Sequence, residues 1–437
     1  MSGATRGATR LSYAAYGLLG LPLAMSALPI YIQAPAYYTG HLGLALAGTG
    51  WVLFLSRLVD TLQDPWLGRC IDRLHGLRLK VWLMAAALLL ALAFFGLWLP
   101  PTAVRGSGTA LLAWLGAMLI VTYTAHSMLN IAYLAWGARL SQRDEGLLGA
   151  SALRELAGLV GAVIASVAPA YIFAGGGSGA SNLESSLSIY ALGFAICLVI
   201  ALAALLLLAP PWNRAGDVAL GWREVLTRMQ SNRSFRRLLL PYFFNAVSVA
   251  IPATLALFFI NDRLQSSQYA GAFLALYFLS TAFGLPLWVA LAKRLGVLQA
   301  WRLGMLLAIV AFGGAALLQA GDVWLYASIC IAAGLALGAD LALPPVLLAG
   351  VIGKNESPAA YYGVWTLLAK LALAVSGLAL PLLAVLGYQP GMGDTGGIAA
   401  LGWVYAAVPC LFKLLALLLL RSMQTFAPDH SLLETPS

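Results

Sequence analysis

Residues 53–80 read LFLSRLVDTLQDPWLGRCIDRLHGLRLK, and this stretch decides how the rest of the chain is interpreted. It begins inside an apolar run long enough to cross a bilayer, yet it contains Arg57, Asp60 and Asp64. Spacings of three and four residues place these side chains on one face of a helix. A charge at the centre of a membrane costs roughly 2.5–3.5 kcal/mol on insertion scales. The charged face must therefore point toward protein or toward a water-filled cavity.

Two interpretations of this charged face remain open on chemical grounds. Two carboxylates one helical turn apart, beside an arginine, offer the oxygen ligands that a small hard cation prefers. The same pair is equally suited to exchanging protons, because neighbouring carboxylates titrate as a coupled unit. The alternative is a structural network of ion pairs where two helices pack.

The composition indicates a membrane protein. The chain has 437 residues, of which 61% are hydrophobic and 9% are charged, and its mean hydropathy is +0.87. Soluble domains contain about 25% charged residues. The formal net charge of +9 does not indicate a nucleic-acid-binding protein, because the basic residues fall mainly in short segments between apolar runs.

Twelve apolar segments are long enough to span a bilayer, since each crossing needs about 20 residues. Arg105 and Arg263 fall in predicted outer loops, and most other basic residues fall on the opposite side, so the positive-inside rule places both termini in the cytoplasm. The sequence thus predicts an all-α integral membrane protein. The approximate spans are 12–38, 44–71, 79–100, 108–139, 148–174, 187–210, 235–261, 266–292, 299–320, 323–352, 358–387 and 398–420.

The longest predicted cytoplasmic connection divides the chain into two six-helix halves. Residues 1–210 form the N-terminal half, 211–234 the linker and 235–437 the C-terminal half. Apolar residues at helical spacing favour a short helix on the membrane surface within the linker, although an ordinary charged linker is an equal alternative. These residues are Trp222, Val225, Leu226 and Met229.

The two halves resemble each other in sequence. Pro65 precedes Arg73 by eight residues, and Pro286 precedes Arg294 by the same interval, in each case after an apolar span. Parallel repeats of six spans are typical of secondary transporters, whose substrate site lies near the midplane between the repeats.

The repeat also bears on the two carboxylates. In the second copy, Thr281 and Leu285 align with Asp60 and Asp64. Packing of the repeat therefore does not require acids at these positions, which favours an ion-binding function over a purely structural one.

Further polar residues lie within other spans. Span four carries Tyr123, Ser127 and Asn130 on one face, with His126 beside them. Their oxygens could complete a cation shell or bind a polar substrate, but membrane helices also use such groups to hydrogen-bond a neighbouring helix. His126 is expected to be a satisfied interior histidine.

Arg154 in span five and Lys370 in span eleven each share a face with small residues, which allow close helix approach. Both should point inward and could meet across a central cavity, unless they form purely structural pairs. Lys413 lacks such a face and is expected to matter less than Lys370. Asp340 in span ten is another inward candidate, with no partner identifiable from the sequence.

No motif of a known enzyme class is present. The chain has no HExxH, GxSxG, P-loop or His/Cys cluster. The four cysteines, Cys70, Cys197, Cys330 and Cys410, are far apart and are expected to be small apolar side chains. We therefore expect no enzyme activity and no cofactor beyond a coupling ion, Na⁺ or H⁺.

Three stretches in the right order resemble the glycoside–pentoside–hexuronide:cation symporter family, the melibiose-permease-like family of the major facilitator superfamily. Residues 57–68, RLVDTLQDPWLG, followed by Asp72 and Arg73, resemble its R-x-x-D-x-x-x-D-P-x-x-G signature. Residues 130–155 are similar to its N-I-P-Y-x-A-L-G-A stretch with a following arginine. Residues 361–374, YYGVWTLLAKLALA, resemble its span-eleven pattern with an inward lysine.

The resemblance implies an alternating-access symporter and assigns roles to individual residues. The coupling ion (Na⁺, Li⁺ or H⁺) would be bound by Asp60, Asp64, Gln63 and Ser127. The substrate region would be lined by Arg154, Lys370, Asn130, Thr366 and Trp365. Structural or gating roles would fall to Arg57, Asp72, Arg73, Arg294 and Asp340.

Departures from the family pattern concern the sugar site. Leu23 and Ala24 stand where the sugar carriers have a charged pair, Asn130 replaces an aspartate, and Leu134 replaces a stacking tryptophan. Residues 349–353 lack both acids of the span-ten motif. Because carboxylates usually hold sugar hydroxyls, cation coupling transfers to this chain better than substrate class does.

The sequence therefore predicts a cation-coupled transporter of a small solute. A sugar or glycoside is the default substrate, an amphipathic or lysolipid-like solute is the alternative, and a non-transporting membrane sensor or enzyme is the third class. We expect a monomer in a bacterial inner membrane, in contact with lipid and with no nucleic-acid partner.

Overall fold

The computed structural model describes residues 12–72, 74–140, 144–175, 180–209, 227, 229–352, 358–392 and 395–421. Within these ranges the chain is helical, without strands, and contains twelve long helices. The first six are α1 (Gly20–Ala36), α2 (Leu46–Asp72), α3 (Gly76–Trp98), α4 (Gly108–Leu140), α5 (Asp144–Gly175) and α6 (Ala180–Leu208). The second six are α7 (Arg233–Phe258), α8 (Ala270–Leu295), α9 (Val297–Ala315), α10 (Val323–Val351), α11 (Pro358–Gly377) and α12 (Thr395–Arg421). The predicted all-α membrane architecture is confirmed.

Eleven of these helices are long and apolar enough to cross a membrane within the described part of the chain. The exception is α2, which is long enough at 27 residues but carries the charges of the Arg57–Asp64 stretch. Since a charged face is tolerated in a membrane only when it packs against protein or water, α2 depends on its neighbours more than the other spans do.

Two compact units make up the chain, Met1–Asp217 and Val218–Ser437. In the first, α1 packs on α5, α2 on α4, and α3 on both α4 and α6. In the second, α7 packs on α11, α8 on α10, and α9 on both α10 and α12. These pairings recur between helices six places apart in the two units, although α7 also packs extensively on α12.

The repeat extends to local backbone geometry. A π-helical turn continues α1 over Tyr37–His41, and another continues α7 over Phe259–Arg263. In both turns the next amide donates to the carbonyl five residues earlier, at 3.2 Å in the first and 3.0 Å in the second. The two copies thus end their first helix in the same way.

Small residues allow α1 and α5 to pack with their backbones close together. A Cβ added to Gly161 would lie 2.2 Å from the Leu21 carbonyl oxygen, and one added to Gly20 would lie 2.7 Å from the Arg154 carbonyl oxygen. Gly158, on the predicted face of Arg154, makes only an ordinary contact, with an added Cβ 3.9 Å from the Gly20 carbonyl oxygen, so the closest approach of α5 to α1 is at Gly161, which the sequence did not single out.

The predicted surface helix of the linker lies largely outside the described residues. Of its apolar residues only Met229 is described, and it is buried in the core of the second unit beside Phe235 and Trp301. Met229 therefore packs against protein and not against the membrane surface, because its apolar side chain finds a ready partner in α7 and α9. The linker boundaries themselves stay a prediction.

Each unit has hydrogen bonds or a salt bridge between separate segments at the end that we predict to lie outside the cell. In the first unit Arg105 forms a salt bridge with Glu184. In the second, the Tyr388 hydroxyl and the Gly391 amide both donate to the carboxylate of Asp262. Burial, with the negative charge of Asp262, raises the pKa of Tyr388 well above its usual range.

Candidate functional site

Asp60 lies where α2 packs on α4, and the residue is only 2% exposed. The Ser127 hydroxyl of α4 donates to Oδ1 at 2.9 Å, and the Gln63 amide donates to the same oxygen at 3.4 Å. On the other side, Arg57 Nη1 approaches Oδ2 at 3.5 Å. Three of the residues assigned to cation binding from the sequence are therefore in contact with one another.

Thr124 completes this group and was not identified from the sequence. Its hydroxyl lies 2.8 Å from Gln63 Oε1, which orients the amide so that its nitrogen faces Asp60. Thr124 precedes Ser127 by three residues and therefore shares its helix face. That spacing was the signal available in the sequence.

The face of the Tyr123 ring contacts the guanidinium of Arg57. The Arg57 Cζ atom lies 3.9 Å from the centroid of the Tyr123 ring and 5.8 Å from that of Tyr31 in α1. Both distances are within the range of cation–π attraction. Tyr123 thus contributes its ring to Arg57, whereas its side-chain oxygen was considered a cation ligand from the sequence.

Asp64 follows Asp60 by one helical turn, and its Oδ1 atom is buried. Pro65 comes directly after it inside α2. A proline removes the helical hydrogen bond to the carbonyl four residues earlier, which here belongs to Thr61. The backbone of α2 is therefore interrupted beside the two carboxylates.

The polar contact between α1 and α4 involves His126. Its Nδ1 atom lies 3.0 Å from the hydroxyl oxygen of Ser26, and that hydroxyl is also 2.9 Å from the Leu23 carbonyl oxygen. His126 is thus hydrogen-bonded inside the first unit, as expected. Asn130, one turn further along α4, is half-buried.

Residues predicted to line the substrate region are distributed over both units. Arg154 is half-buried on α5 in the first unit, and Lys370 is half-buried on α11 in the second. Thr366 is exposed and donates to the Tyr362 carbonyl at 2.9 Å. That Arg154 and Lys370 meet across a central cavity stays a prediction, as do the binding roles of all these residues.

Trp365 lies inside the second unit. It is 7% exposed and stacks on Tyr242 of α7, with ring centroids 3.4 Å apart and planes 18° from parallel. The ring therefore packs against α7, and its contact with substrate stays a prediction.

Two residues predicted to have structural or gating roles, Asp72 and Arg294, lie at helix ends. Asp72 is the last residue of α2, while its side chain and all of Arg73 lie outside the described residues. Arg294 is exposed in the last turn of α8. A positive charge is favourable there because the carbonyl end of a helix is electronegative.

Asp340 has partners that the sequence did not reveal. Its Oδ2 atom lies 2.7 Å from Lys413 Nζ, and its Oδ1 atom accepts hydrogen bonds from Trp301 at 2.9 Å and Asn245 at 3.0 Å. Lys413 Nζ also donates to Asn245 Oδ1 at 2.7 Å. We call these four residues the Asp340 cluster.

The absence of a small-residue face did not indicate where Lys413 lies, and the smaller effect on transport expected of it stays a prediction. The lysine is 2% exposed and bound to a carboxylate, although no small residues mark its helix face. One pattern would have indicated the cluster. Each of three helices carries a proline four residues from a cluster residue: Pro241 before Asn245, Pro344 after Asp340, and Pro409 before Lys413.

Comparison with known proteins identifies relatives at two levels. The sequence matches the model of the family described as MFS/sugar transport protein over residues 13–424. An uncharacterized symporter of Bacillus subtilis (strain 168), YjmB, is 26% identical over 136 residues, which cover 30% of this chain and 29% of the relative. The matched stretch thus spans less than a third of either protein.

Solved structures share the fold at low sequence identity. The nucleoside transporter NupG is 14% identical and has a TM-score of 0.68, with 96% of this chain and 100% of that chain covered. A bacterial homologue of the human lysosomal transporter Spinster, in an inward-facing and unoccupied conformation, is 15% identical with a TM-score of 0.63, covering 97% of this chain and 96% of that chain. Because the family match covers nearly the whole sequence, this multi-pass membrane protein belongs to the MFS/sugar transport protein family, the melibiose-permease-like transporters of the major facilitator superfamily.

Proposed function

We propose that the protein is a cation-coupled symporter of a small solute, in which Asp60 holds the coupling ion. The observation that carries the proposal is the contact set of Asp60, a nearly inaccessible carboxylate that receives a hydroxyl, an amide and a long contact from an arginine. The match to a relative named as a symporter supports coupling.

The chemistry of the set suits a small monovalent cation or a proton. Asp60 and Asp64 supply carboxylate oxygens, and Ser127 supplies a hydroxyl oxygen, which are ligands that hard cations prefer. The Ser127 hydroxyl now donates to Asp60, but it can rotate to present a lone pair instead. A proton would bind the same carboxylate pair without any change of ligands.

The substrate is proposed to be a sugar or glycoside, in keeping with the family description. The apolar residues in α1 support the alternative of an amphipathic, lysolipid-like solute, since Leu23 is 4% exposed and Ala24 is partly exposed. Arg154, Asn130, Thr366 and Lys370 remain the proposed polar lining.

The orientation is proposed from the charge distribution. Arg105 and Arg263 belong to connections that we place outside, and both ends of the chain would lie in the cytoplasm of a bacterium with an inner membrane. The transporter is proposed to act as a monomer.

The experiment is thermal unfolding of the purified protein in Na⁺ and in K⁺, with glycosides and lysolipids added to each. A ligand that binds only the folded state raises the melting temperature. We expect Na⁺ to stabilise the protein, and a glycoside to add a further shift that depends on Na⁺. A shift with lysolipid alone would replace the sugar by an amphipathic substrate. If Na⁺ and Li⁺ cause no shift and acidification does, the ion is H⁺.

The control is Glu184→Gln, which removes a carboxylate from the outer salt bridge with Arg105. This variant should keep the full ion-dependent shift. An equal loss of the shift in Glu184→Gln and Asp60→Asn would contradict the assignment of the ion to Asp60.

A further inference from the structure

We propose that Arg57 is a tethered competitor of the coupling ion. Its guanidinium, which already lies against the ring of Tyr123, neutralises Asp60 while the site is empty, and withdraws from the carboxylate onto that ring when an ion occupies it. The proposal rests on the proposed function and adds to it the residue that sets ion affinity.

The contact between Arg57 and Asp60 is unusually loose for a buried ion pair. Charge-assisted N–H···O bonds are typically about 2.7–2.9 Å long, whereas Arg57 Nη1 lies 3.5 Å from Oδ2. A guanidinium has five N–H donors. Among the described residues only this one hydrogen bond is seen for it, and its buried Nε has no hydrogen-bond partner.

The same guanidinium also contacts an aromatic ring, which can hold it when the carboxylate is taken by an ion. The Tyr123 ring, 3% exposed, presents its face 3.9 Å from Cζ, and the half-buried Tyr31 ring lies 5.8 Å away. Cation–π attraction is strongest where water is excluded. A small rotation of the side chain can therefore release the carboxylate while the contact with the ring is kept, without moving the backbone of α2.

Ion binding must shift the balance between these two positions. A Na⁺ ion or a proton on Asp60 cancels the charge that attracts Arg57, and Na⁺ also repels the guanidinium. The ion therefore binds against a competitor, which lowers its apparent affinity, while the Tyr123 ring lowers the cost of displacing that competitor.

The competition has a use in a transport cycle. An empty symporter must return across the membrane with its site unoccupied, and an uncompensated carboxylate in the bilayer interior is costly. In that step Arg57 neutralises Asp60. The local charge of the site is then the same with and without the ion, provided that the guanidinium leaves Asp60 when the ion binds. The loose contact meets both requirements.

The test is titration of full-length purified variants with Na⁺, Li⁺ and a pH series, read by calorimetry or by thermal unfolding. Arg57→Gln should bind the ion about tenfold more tightly, because the competitor is gone. Tyr123→Leu should bind the ion about threefold more weakly than wild type. Tyr123→Phe, which keeps the aromatic ring, should bind it as tightly as wild type. Arg105→Gln, in an outer connection, is the matched control.

The double variant decides the mechanism. Without Arg57 the ring no longer holds a guanidinium. The double variant Arg57→Gln with Tyr123→Leu should therefore have the same ion affinity as Arg57→Gln alone. If Tyr123→Leu weakens binding equally in the absence of Arg57, the ring acts on the ion site directly and the inference is wrong. A folded Arg57→Gln protein that binds the ion no more tightly than wild type also defeats it.

If Arg57→Gln does not fold, Arg57→Lys replaces it. A lysine keeps the charge but lacks the planar group that stacks on aromatic rings, so it should remain on Asp60 and weaken ion binding. Unchanged or tighter binding would contradict the proposal. A wild-type protein that responds to neither Na⁺, Li⁺ nor pH would overturn the proposed function itself, which distinguishes the two failures.

Discussion

Two buried acids, Asp60 and Asp340, differ in how closely their hydrogen-bond partners approach. Asp340 has a lysine at 2.7 Å and two further donors at about the usual hydrogen-bond length. Among the contacts seen between described residues, Asp60 accepts a hydrogen bond of that length from Ser127, while the contacts from Gln63 and Arg57 are 3.4 and 3.5 Å long. The Asp340 cluster is therefore suited to a permanent structural role, and the Asp60 set to exchanging one partner for another.

Removing either acid of α2 should separate transport from folding. Asp60→Asn or Asp64→Asn keeps the volume of the side chain and removes the charge that attracts a cation. We expect cation-driven uptake into proteoliposomes to fall to background, with the variants still eluting as monodisperse protein. Full ion-driven accumulation in both variants would refute the ion site.

Lys413 should be critical for stability, because it is buried and paired with Asp340. Lys413→Met leaves Asp340 buried without its cation, and breaking a buried pair in this way costs about 3–5 kcal/mol. Adding Asp340→Leu removes the stranded charge and should recover much of the loss, because apolar replacements of buried pairs are often neutral. Thermal unfolding measures both.

The control for Lys413 is Lys293→Met, since Lys293 is exposed in the last turn of α8. It should change stability only slightly. If Lys413→Met were as stable as Lys293→Met, the ion pair with Asp340 would not contribute to the fold. Lys370→Ala, by comparison, should reduce transport with little loss of stability.

At the scale of helices, two kinds of contact hold neighbouring helices together. Glycines allow close backbone packing, and polar groups bond to one another near turns that prolines interrupt. Prolines break the hydrogen-bond ladders of α7, α10 and α12 one turn away from the Asp340 cluster. The cluster joins these three helices at their weakest turns, together with Trp301 from α9. Its contacts offset a loss of rigidity that the prolines introduce.

Packing of α1 on α5 should be sensitive to a single methyl group. Gly161→Ala places a Cβ 2.2 Å from the Leu21 carbonyl oxygen, so the helices must separate. Overpacking of this kind typically costs about 1–3 kcal/mol. Gly193→Ala in α6, where no atom lies within 4 Å of the added Cβ, is the matched control.

Thermal unfolding in detergent distinguishes these glycine variants. Gly193→Ala should be neutral or slightly stabilising, because alanine favours helix over glycine by about 1 kcal/mol. Equal melting temperatures for the two variants would show that contact with Leu21 does not limit the approach of α1 to α5.

Helical periodicity explains which features could be predicted. Ser127 was identified from the polar face of its span, whereas Gln63 was named from the family resemblance, although its spacing of three residues from Asp60 places both on one helix face. The Asp340 cluster escaped prediction because its members are far apart in sequence, with 168 residues between Asn245 and Lys413. The contact of Arg57 with the Tyr123 ring could not be predicted, because residue spacing does not determine where a side chain is placed.

For the molecule as a whole, the same helix pairs carry different chemistry in the two units. The charged α2 of the first unit corresponds to α8 of the second, where Thr281 stands in place of Asp60 and is fully buried. The second unit has its ion pair on α10 and α12 instead. A duplicated scaffold has thus kept its packing while its polar residues have diverged.

This division predicts that ion response and stability can be lost separately. Asp60→Asn should lose the Na⁺-dependent rise in melting temperature, measured against the ion-free melting temperature of the same variant. Lys413→Met with Asp340→Leu should melt differently from wild type yet keep the ion-dependent rise. Loss of the rise in both variants would show that the ion site is not confined to the first unit.

The charges of α2 also constrain how the protein is made. Each Arg or Asp at a helix centre opposes insertion by about 2.5–3.5 kcal/mol, and the hydroxyl that reaches Asp60 is 67 residues further along the chain. During synthesis, α2 leaves the ribosome well before α4 exists to shield it. Its entry into the bilayer should therefore wait for α4, so that the segment most important for ion binding becomes a transmembrane helix only as part of an assembling bundle.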